Sequence, residues 1–479
     1  MVSIFRINDP FRILGIFVVL LLLRLPMIIN GLPLIIPELS WLLVGEKLGN
    51  GSRMYVDVWE NIAPLSAGIY WLIDLVFGKS QIAYQVISSF LVLIQAIIFN
   101  QALIKTGVYK EKTYLPGLLY VVFMSISFDF LTLSPVLMAN TYLILVVRNL
   151  FRFDNEAIDQ DIFKTGFYIG IAALLYIPST LFLIMAILGL AMFKTSSSRY
   201  LIMMVYGFTF AFIIYLVYLF TVGGIGDFYD VYILSFLSLN LERYFSPTQS
   251  FWLVLVPGIA LVLGLLKART ERGFVNFQSN AQQLMAIWIL ASIFTLLITP
   301  KFATYQFIIF VPAFTFFTVH YLLLFKKRIF AEIAFWVISI LVVFISYNGV
   351  YNFSSGLNPI DYDRLTVKKE ESLPEKNKKI LVLGNHLSYY QHQSIATPYY
   401  NWKLSQRHFG NMDTYSTLIE IYKNFEKDFP EIIVDKSDNQ FASKLFNNIP
   451  LLEEKYEKSN ENDFPTYILK GSLVENGAP

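Results

Sequence analysis

Apolar residues run along this chain in long blocks, and polar residues gather between them. A helix rises about 1.5 Å per residue, so roughly 20 apolar residues cross about 30 Å of hydrocarbon. Blocks of this kind lie near residues 12 to 29, 81 to 104, 114 to 131, 135 to 150, 199 to 222, 249 to 266, 281 to 299, 305 to 324 and 329 to 347. The stretch from Phe163 to Phe193 is too long for one span and too short for two full ones, and Pro178 interrupts it. Proline removes a backbone donor and breaks a helix, so two short helices are predicted there. Past about Pro374 the pattern changes: the β-rich runs KILVLG, EIIVD and TYILK alternate with helical patterns such as TYSTLIEIYKNFEK. That alternation predicts a small α/β unit with a partly parallel sheet. The expected fold is therefore mainly α, a polytopic membrane helical bundle with a small C-terminal α/β domain. The expected division is a membrane module over 1–350, with a first outer loop over 30–80 carrying interfacial helices, a linker over 351–378 and the α/β domain over 379–479.

Composition agrees with the blocks, because 56% hydrophobic against 15% charged residues is more apolar than a soluble domain tolerates. The first span lacks a small-residue cleavage site after a short apolar core and reads as a retained helix. A net charge of +2 gives no reason to expect a nucleic-acid partner, and the lack of cysteine excludes disulfides and thiolate chemistry. Positive charge orients the spans, since short loops rich in Lys and Arg stay cytoplasmic. The basic groups are Arg6 and Arg12; Lys105, Lys110 and Lys112; Arg148, Arg152 and Lys164; Lys194 and Arg199; Lys267, Arg269 and Arg272; and Lys326, Lys327 and Arg328. They fall on one side only with about eleven crossings. The N-terminus is then cytoplasmic, and the loop 30–80, the loop 223–249, the turn at Lys301 and the tail after Tyr347 lie outside. Pro64 to Phe77 is too short to cross and is expected to lie along the interface.

The outer segments carry the ionisable groups. Glu38, Arg53, Asp57 and Glu60 follow the first span, Asp129 sits at the outer end of another, Arg243 and Tyr244 lie in the long outer loop, and Lys301 and Tyr305 in a tight turn. A carboxylate at a membrane boundary is costly unless water or a partner reaches it. Glu38, Asp57, Asp129 and Lys301 are therefore expected to line one outer cavity. Carboxylates that take a proton from a hydroxyl, with cations that hold a departing phosphate, suit a group transfer. Simpler roles exist for several of them: Asp57 in YVDVW can cap a turn, and Arg53 can meet lipid headgroups. His386 and His392 match no metal spacing, and LGNGS lacks the helix of a phosphate loop.

The acid after the first span, followed by LGNGSRMYVDVWENIAPLSAGIYWLIDLVFGKSQIAYQVI, resembles the first outer loop of the GT-C class of integral membrane glycosyltransferases, among them the protein-mannosyltransferase-like and aminoarabinose-transferase-like members. The turn TPKFATYQFIIFVPAF is similar to the late outer turn of that class, and ILVLGNHLSYYQHQSIATPYYNW to the periplasmic domain of several members. The resemblance implies a multi-pass protein of the bacterial inner membrane that moves a sugar from a polyprenyl-phosphate carrier to a lipid, glycan or protein acceptor on the periplasmic side, with inversion. It implies Glu38, Asp57 and Asp129 as the acids and Lys301 and Tyr305 as donor-phosphate ligands, to which the outer-loop cations Arg243 and Arg53 are added as candidates from the sequence, with membrane lipids around them and no cofactor or metal indicated. Two positions depart from the class: Ala63 stands before Pro64 where several bacterial members place a Lys, and Val136 where an acid is expected. Those departures leave room for a non-catalytic scaffold of the same fold. A transporter or flippase for an envelope lipid is the other alternative; it would need charged groups at mid-membrane, and the span centres are nearly free of charge.

Overall fold

The computed structural model describes residues 1–153, 159–193, 198–237, 242–271, 274–353, 360–368, 373, 375–459 and 464–471. Lys194 and Arg272, used above to orient the spans, and residues 354–359, 369–372 and 374 of the 351–378 segment lie outside the described residues. The chain forms two compact units: a helical unit of Met1–Pro33, Gln81–Tyr218 and Leu241–Leu365, and an α/β unit of Leu34–Ser80, Leu219–Asn240 and Thr366–Pro479. The segment after the first span thus belongs with the tail, although it is nearly 300 residues from it in the chain.

Among the described residues the helical unit draws on eleven apolar helices: Arg12–Ile29, Gln81–Thr106, Leu115–Phe123, Pro135–Leu150, Asp159–Leu175, Phe182–Phe193, Ser198–Val222, Pro247–Thr270, Asn276–Leu297, Thr304–Leu323 and Arg328–Tyr351. Seven of them are long and apolar enough to cross a membrane. The Phe163 to Phe193 stretch does split in two, at a 3-10 turn over Ile177–Leu181 that contains Pro178. The 114 to 131 block departs from a single helix. It is helical only over Leu115–Phe123 and then bends into a 3-10 turn, Phe128–Leu131. Ser125, Ser127 and Asp129 cluster there, and short polar side chains compete with the helix for backbone groups.

Small residues bring the helices together. A Cβ on Gly166 would lie 1.9 Å from the Met204 carbonyl oxygen, and one on Gly207 would lie 2.2 Å from that of Phe163. Only glycine permits so close a crossing, and close crossing is how helices gain packing energy where lipid offers no hydrophobic contrast. Polar side chains inside the unit pair with one another: Tyr120 OH donates to Gln95 Oε1 at 2.6 Å and accepts from Asn140 Nδ2 at 2.9 Å. Two short parallel strands, β1 (Glu242–Arg243) and β2 (Lys301–Phe302), complete it.

In the α/β unit, five strands stand in the order β4-β3-β5-β7-β6: β3 is Lys379–Leu383, β4 Ser394–Ile395, β5 Ile432–Asp435, β6 Tyr456–Ser459 and β7 Thr466–Leu469. β3 runs parallel to β4 and β5, and β7 is antiparallel to β5 and β6, which is the partly parallel sheet read from the sequence. Helix Ile36–Gly49 packs Leu39 and Leu43 into the same core as Ile380, Val382, Ile432 and Val434. The chain on either side is tied as well, by a bridge from Ile35 to Thr366 and a 2.9 Å bond from the Val367 amide to the Leu34 carbonyl. Helix Pro64–Phe77 buries Ala67, Tyr70 and Ile73 and exposes Trp71, Leu72, Leu75, Val76 and Phe77, an amphipathic pattern of the kind that suits an interface.

Candidate functional site

The chemistry-bearing residues divide between the two units. In the helical unit the loop that carries Arg243 and the turn that carries Lys301 are joined by the β1–β2 ladder, with Glu242 opposite Lys301 and Arg243 opposite Phe302. Bonds from the Glu242 amide to the Pro300 carbonyl (2.7 Å) and from the Tyr244 amide to the Phe302 carbonyl (3.0 Å) fix the register. The ladder lays two segments some 60 residues apart in sequence side by side, and since successive strand residues point to opposite faces, Lys301 shares a face with Glu242 and Arg243 with Phe302. The Gln306 side chain donates to the Lys301 carbonyl and secures the turn. Tyr305, buried at 6% exposure, has the Lys301 ammonium, the Asp129 carboxyl and the hydroxyls of Tyr176 and Tyr244 as its electrostatic neighbours.

Asp129 is almost wholly buried, at 1% exposure. Its Oδ2 accepts from the Thr304 hydroxyl, and Ser127 and the Tyr305 backbone are its other close electrostatic neighbours. A buried carboxylate is tolerated only with such partners, so this acid ties its own turn to the one that bears Lys301 and Tyr305. The Asp129 turn is held from its other side by a residue that sequence reasoning missed. Arg24, 1% exposed within the first span, donates through Nη2 to the carbonyls of Met124 (2.7 Å) and Phe130 (3.3 Å) and through Nη1 to Ser88 Oγ (3.0 Å). Ser88 in turn donates to the Leu131 carbonyl at 2.6 Å. The planar fork of an arginine suits this task, since one side chain holds several acceptors at once. The signal was present, a single Arg inside LLLLRLPMII, but an isolated charge in an apolar block has no local pattern to mark it.

In the α/β unit, Glu38 lies in the first turn of helix Ile36–Gly49 and is 2% exposed. A carboxylate in the first helical turn is favoured by the helix dipole. Glu60, also buried, accepts from Asn401 Nδ2 at 3.1 Å and from the Asn61 amide at 3.1 Å. Asp57 has a different setting. It accepts from the Arg53 amide (2.9 Å) and from Arg53 Nε (3.1 Å), its own amide returns a 2.9 Å bond to the Arg53 carbonyl, and Lys427 lies 3.4 Å away. Desolvation is the largest single influence on its carboxyl and raises the pKa, but the hydrogen bonds and charges of Arg53 and Lys427 together outweigh it and leave the group below the usual range. Asp57 and Arg53 therefore close a turn, as the sequence allowed. Among the described residues no cluster of His, Asp and Glu forms a metal site.

The structure thus brings Asp129, Arg243, Lys301 and Tyr305 together in one unit, and places Glu38, Arg53 and Asp57 in the other. No family model matches the sequence, and no curated protein matches it significantly. Solved structures do match. One is ArnT from Cupriavidus metallidurans bound to undecaprenyl phosphate, with a TM-score of 0.55, 10% identity and coverage of 96% of this chain and 98% of that one. Another is the Archaeoglobus fulgidus oligosaccharyltransferase in the apo form, with a TM-score of 0.50, 11% identity and coverage of 98% and 76%. Identity this low speaks for architecture alone, and on that ground the chain shares the polytopic fold of these two proteins.

Proposed function

We propose that this protein is a membrane glycosyltransferase that moves a sugar from a polyprenyl-phosphate carrier to an acceptor hydroxyl on the periplasmic side of a bacterial inner membrane. The observation that carries the reading is the Lys301 turn beside the buried Asp129 and Tyr305, in a fold shared with a protein solved with undecaprenyl phosphate bound. A preplaced cation is what a leaving phosphate needs, because charge grows on its oxygens as the sugar departs.

In the proposed reaction the acceptor oxygen attacks the anomeric carbon from the face opposite the carrier. The new C–O bond forms as the glycosyl–phosphate C–O bond breaks, and the bonding pair leaves on the phosphate oxygen of the carrier. One direct displacement inverts the anomeric centre. Glu38 takes the hydroxyl proton. Of the three acids Asp57 suits that task least, since two cations already lower its proton affinity, and Asp129 is engaged in holding the Thr304 turn. Lys301 receives the phosphate, with Arg243 on the adjoining strand as a second candidate ligand, and Asp129 holds the turn that bears Lys301 and Tyr305.

The test is transfer of radiolabelled sugar from undecaprenyl-phosphate-linked pentoses and hexoses by the purified full chain, with undecaprenyl phosphate binding measured alongside. Transfer with inversion is expected. Carrier binding without transfer from any such donor would favour the scaffold, and absence of carrier binding would overturn the reading. For the side of the membrane, reporter fusions at Lys110 and Arg328 are expected to read cytoplasm and a fusion after Tyr347 periplasm.

A further inference from the structure

A cleft of about 600 Å³ opens within the α/β unit, in the size range that holds small ligands. One wall is the end of helix Ile36–Gly49 and the turn after it. The other is the start of β3, strand β4 and the last turn of helix Tyr415–Lys427. Its floor is braced by ion pairs. Lys47 pairs with Asp428 and donates to the Ile395 carbonyl at 2.9 Å; Lys379 donates to Asp428 at 2.8 Å; Ser394 Oγ donates to Glu46 Oε1 at 2.5 Å. Just behind Glu46, Lys79 stands 3.3 Å away and donates to the Gln393 carbonyl at 2.8 Å. At the rim Lys427 meets Asp57.

This matching of charges decides what the cleft suits. Each of its three lysines already faces a carboxylate, and the Lys47–Asp428 pair is largely shielded from water, so a phosphate or other polyanion would have to displace those carboxylates and a cation would have to displace the lysines. What remains for a ligand is a set of groups that accept, donate or do both: spare carboxylate lone pairs, the amides of Asn50 and Asn377, the side-chain carbonyl of Asn424, whose Nδ2 donates to Tyr399, and the hydroxyl of Ser52. Leu43, Val56 and Pro398 supply apolar patches between them. Alternating hydrogen-bonding and apolar surface fits a molecule whose faces alternate between hydroxyls and C–H groups.

We propose that this cleft binds an uncharged, hydroxyl-rich ligand, a glycan segment. On the transferase reading above, and resting on it, that glycan is the acceptor, so the acceptor class narrows from lipid, glycan or protein to a saccharide-bearing molecule. The cleft takes no part in holding the donor phosphate.

The experiment applies the full-length protein in detergent to an array of immobilised oligosaccharides that includes neutral, phosphorylated and aminated members, beside a direct measurement of undecaprenyl phosphate binding. Binding to neutral members is expected. The substitution Asn50→Trp, at an exposed helix-end position with an ordinary backbone conformation, fills the cleft and is expected to weaken that binding at least about tenfold. Asn50→Ala is the milder check should the Trp variant fail to fold, and it is expected to weaken binding in the same direction. Binding confined to phosphorylated members, no binding to the array, or neutral binding unchanged in a folded Asn50 variant overturns the proposal. Glycan binding without undecaprenyl phosphate binding would leave the cleft standing and remove the transferase reading, whereas the reverse result would remove the cleft alone.

Discussion

Asp57 and Asp129 are both acids beside aromatic residues, and both read as site carboxylates in the sequence, yet the two regions treat them in opposite ways. Asp57 is partly exposed, carries two cations and closes the five-residue turn from Arg53 to Asp57. Asp129 is sealed from water, and hydroxyl and backbone groups are its nearest partners. A surface acid with cationic neighbours gains little from them, because water competes for the same charges. A buried acid is held by every donor around it and is costly to disturb. Burial and partners, more than position in a motif, therefore separate an acid that shapes a site from one that shapes a loop. Glu38 shares the burial of Asp129 but sits on a helix end in the other unit.

The largest effect expected is at Glu38. Glu38→Gln keeps the shape and most of the hydrogen-bonding capacity and removes the base, so turnover is expected to fall by roughly 10² to 10⁴ with carrier binding nearly intact. The matched substitution Asp57→Asn is expected to leave turnover within a few-fold. Measured together in the transfer assay, the two variants test the contrast directly: full transfer in Glu38→Gln, or a collapse confined to Asp57→Asn, would reverse the assignment of roles.

Lys301→Ala comes next and should differ in kind. Its charge meets phosphate in the ground state and in the transition state, so carrier affinity and turnover are both expected to drop, by about 10-fold or more in affinity. Binding of undecaprenyl phosphate to the variant reads this without any sugar acceptor. Unchanged carrier affinity would leave the β1–β2 edge without its proposed ligand.

Asp129→Ala tests the other half of the comparison through stability. Loss of the carboxylate strands the Thr304 hydroxyl in a buried place, at a cost of about 1–3 kcal/mol. The thermal midpoint of the helical unit is expected to fall, and Asp129→Asn, which keeps an acceptor, should recover part of it. A variant as stable as the parent would show that the turn does not depend on this acid.

How much of this was legible in the sequence follows from range. The bounds of helix Pro64–Phe77, the break at Pro178 and the tail strands were readable because local periodicity and proline chemistry fix them. The association of residues 34–80 with the tail, the β1–β2 pairing of Arg243 with the Lys301 turn and the end of a helix at Phe123 are long-range facts. They depend on which groups meet in space: Arg24 takes the Met124 carbonyl from about 100 residues away, and nothing local to SISFD announces that. Asp57 was readable in outline, since YVDVW allowed a capped turn, but its partner Lys427 belongs to a helix in the distant tail.

The smallest effect concerns Asp57 and pH. Its carboxyl lies below the usual range in the folded protein, while an unfolded chain returns it to about 3.9. A depressed folded value means that the native state holds the proton less tightly than the unfolded one. The contribution to stability is then fully present above the unfolded value and disappears as pH falls through the folded one. With Arg53 and Lys427 both largely in water, it should stay within about 1 kcal/mol. Asp57→Asn is therefore expected to lower the unfolding midpoint slightly at pH 7 and to converge on the parent as the pH falls below the unfolded value, read as the difference between the two proteins so that other titrating groups cancel. A difference that grew on acidification would mean that Asp57 is protonated more readily when folded, the behaviour of a desolvated acid, and would put it in the same class as Asp129.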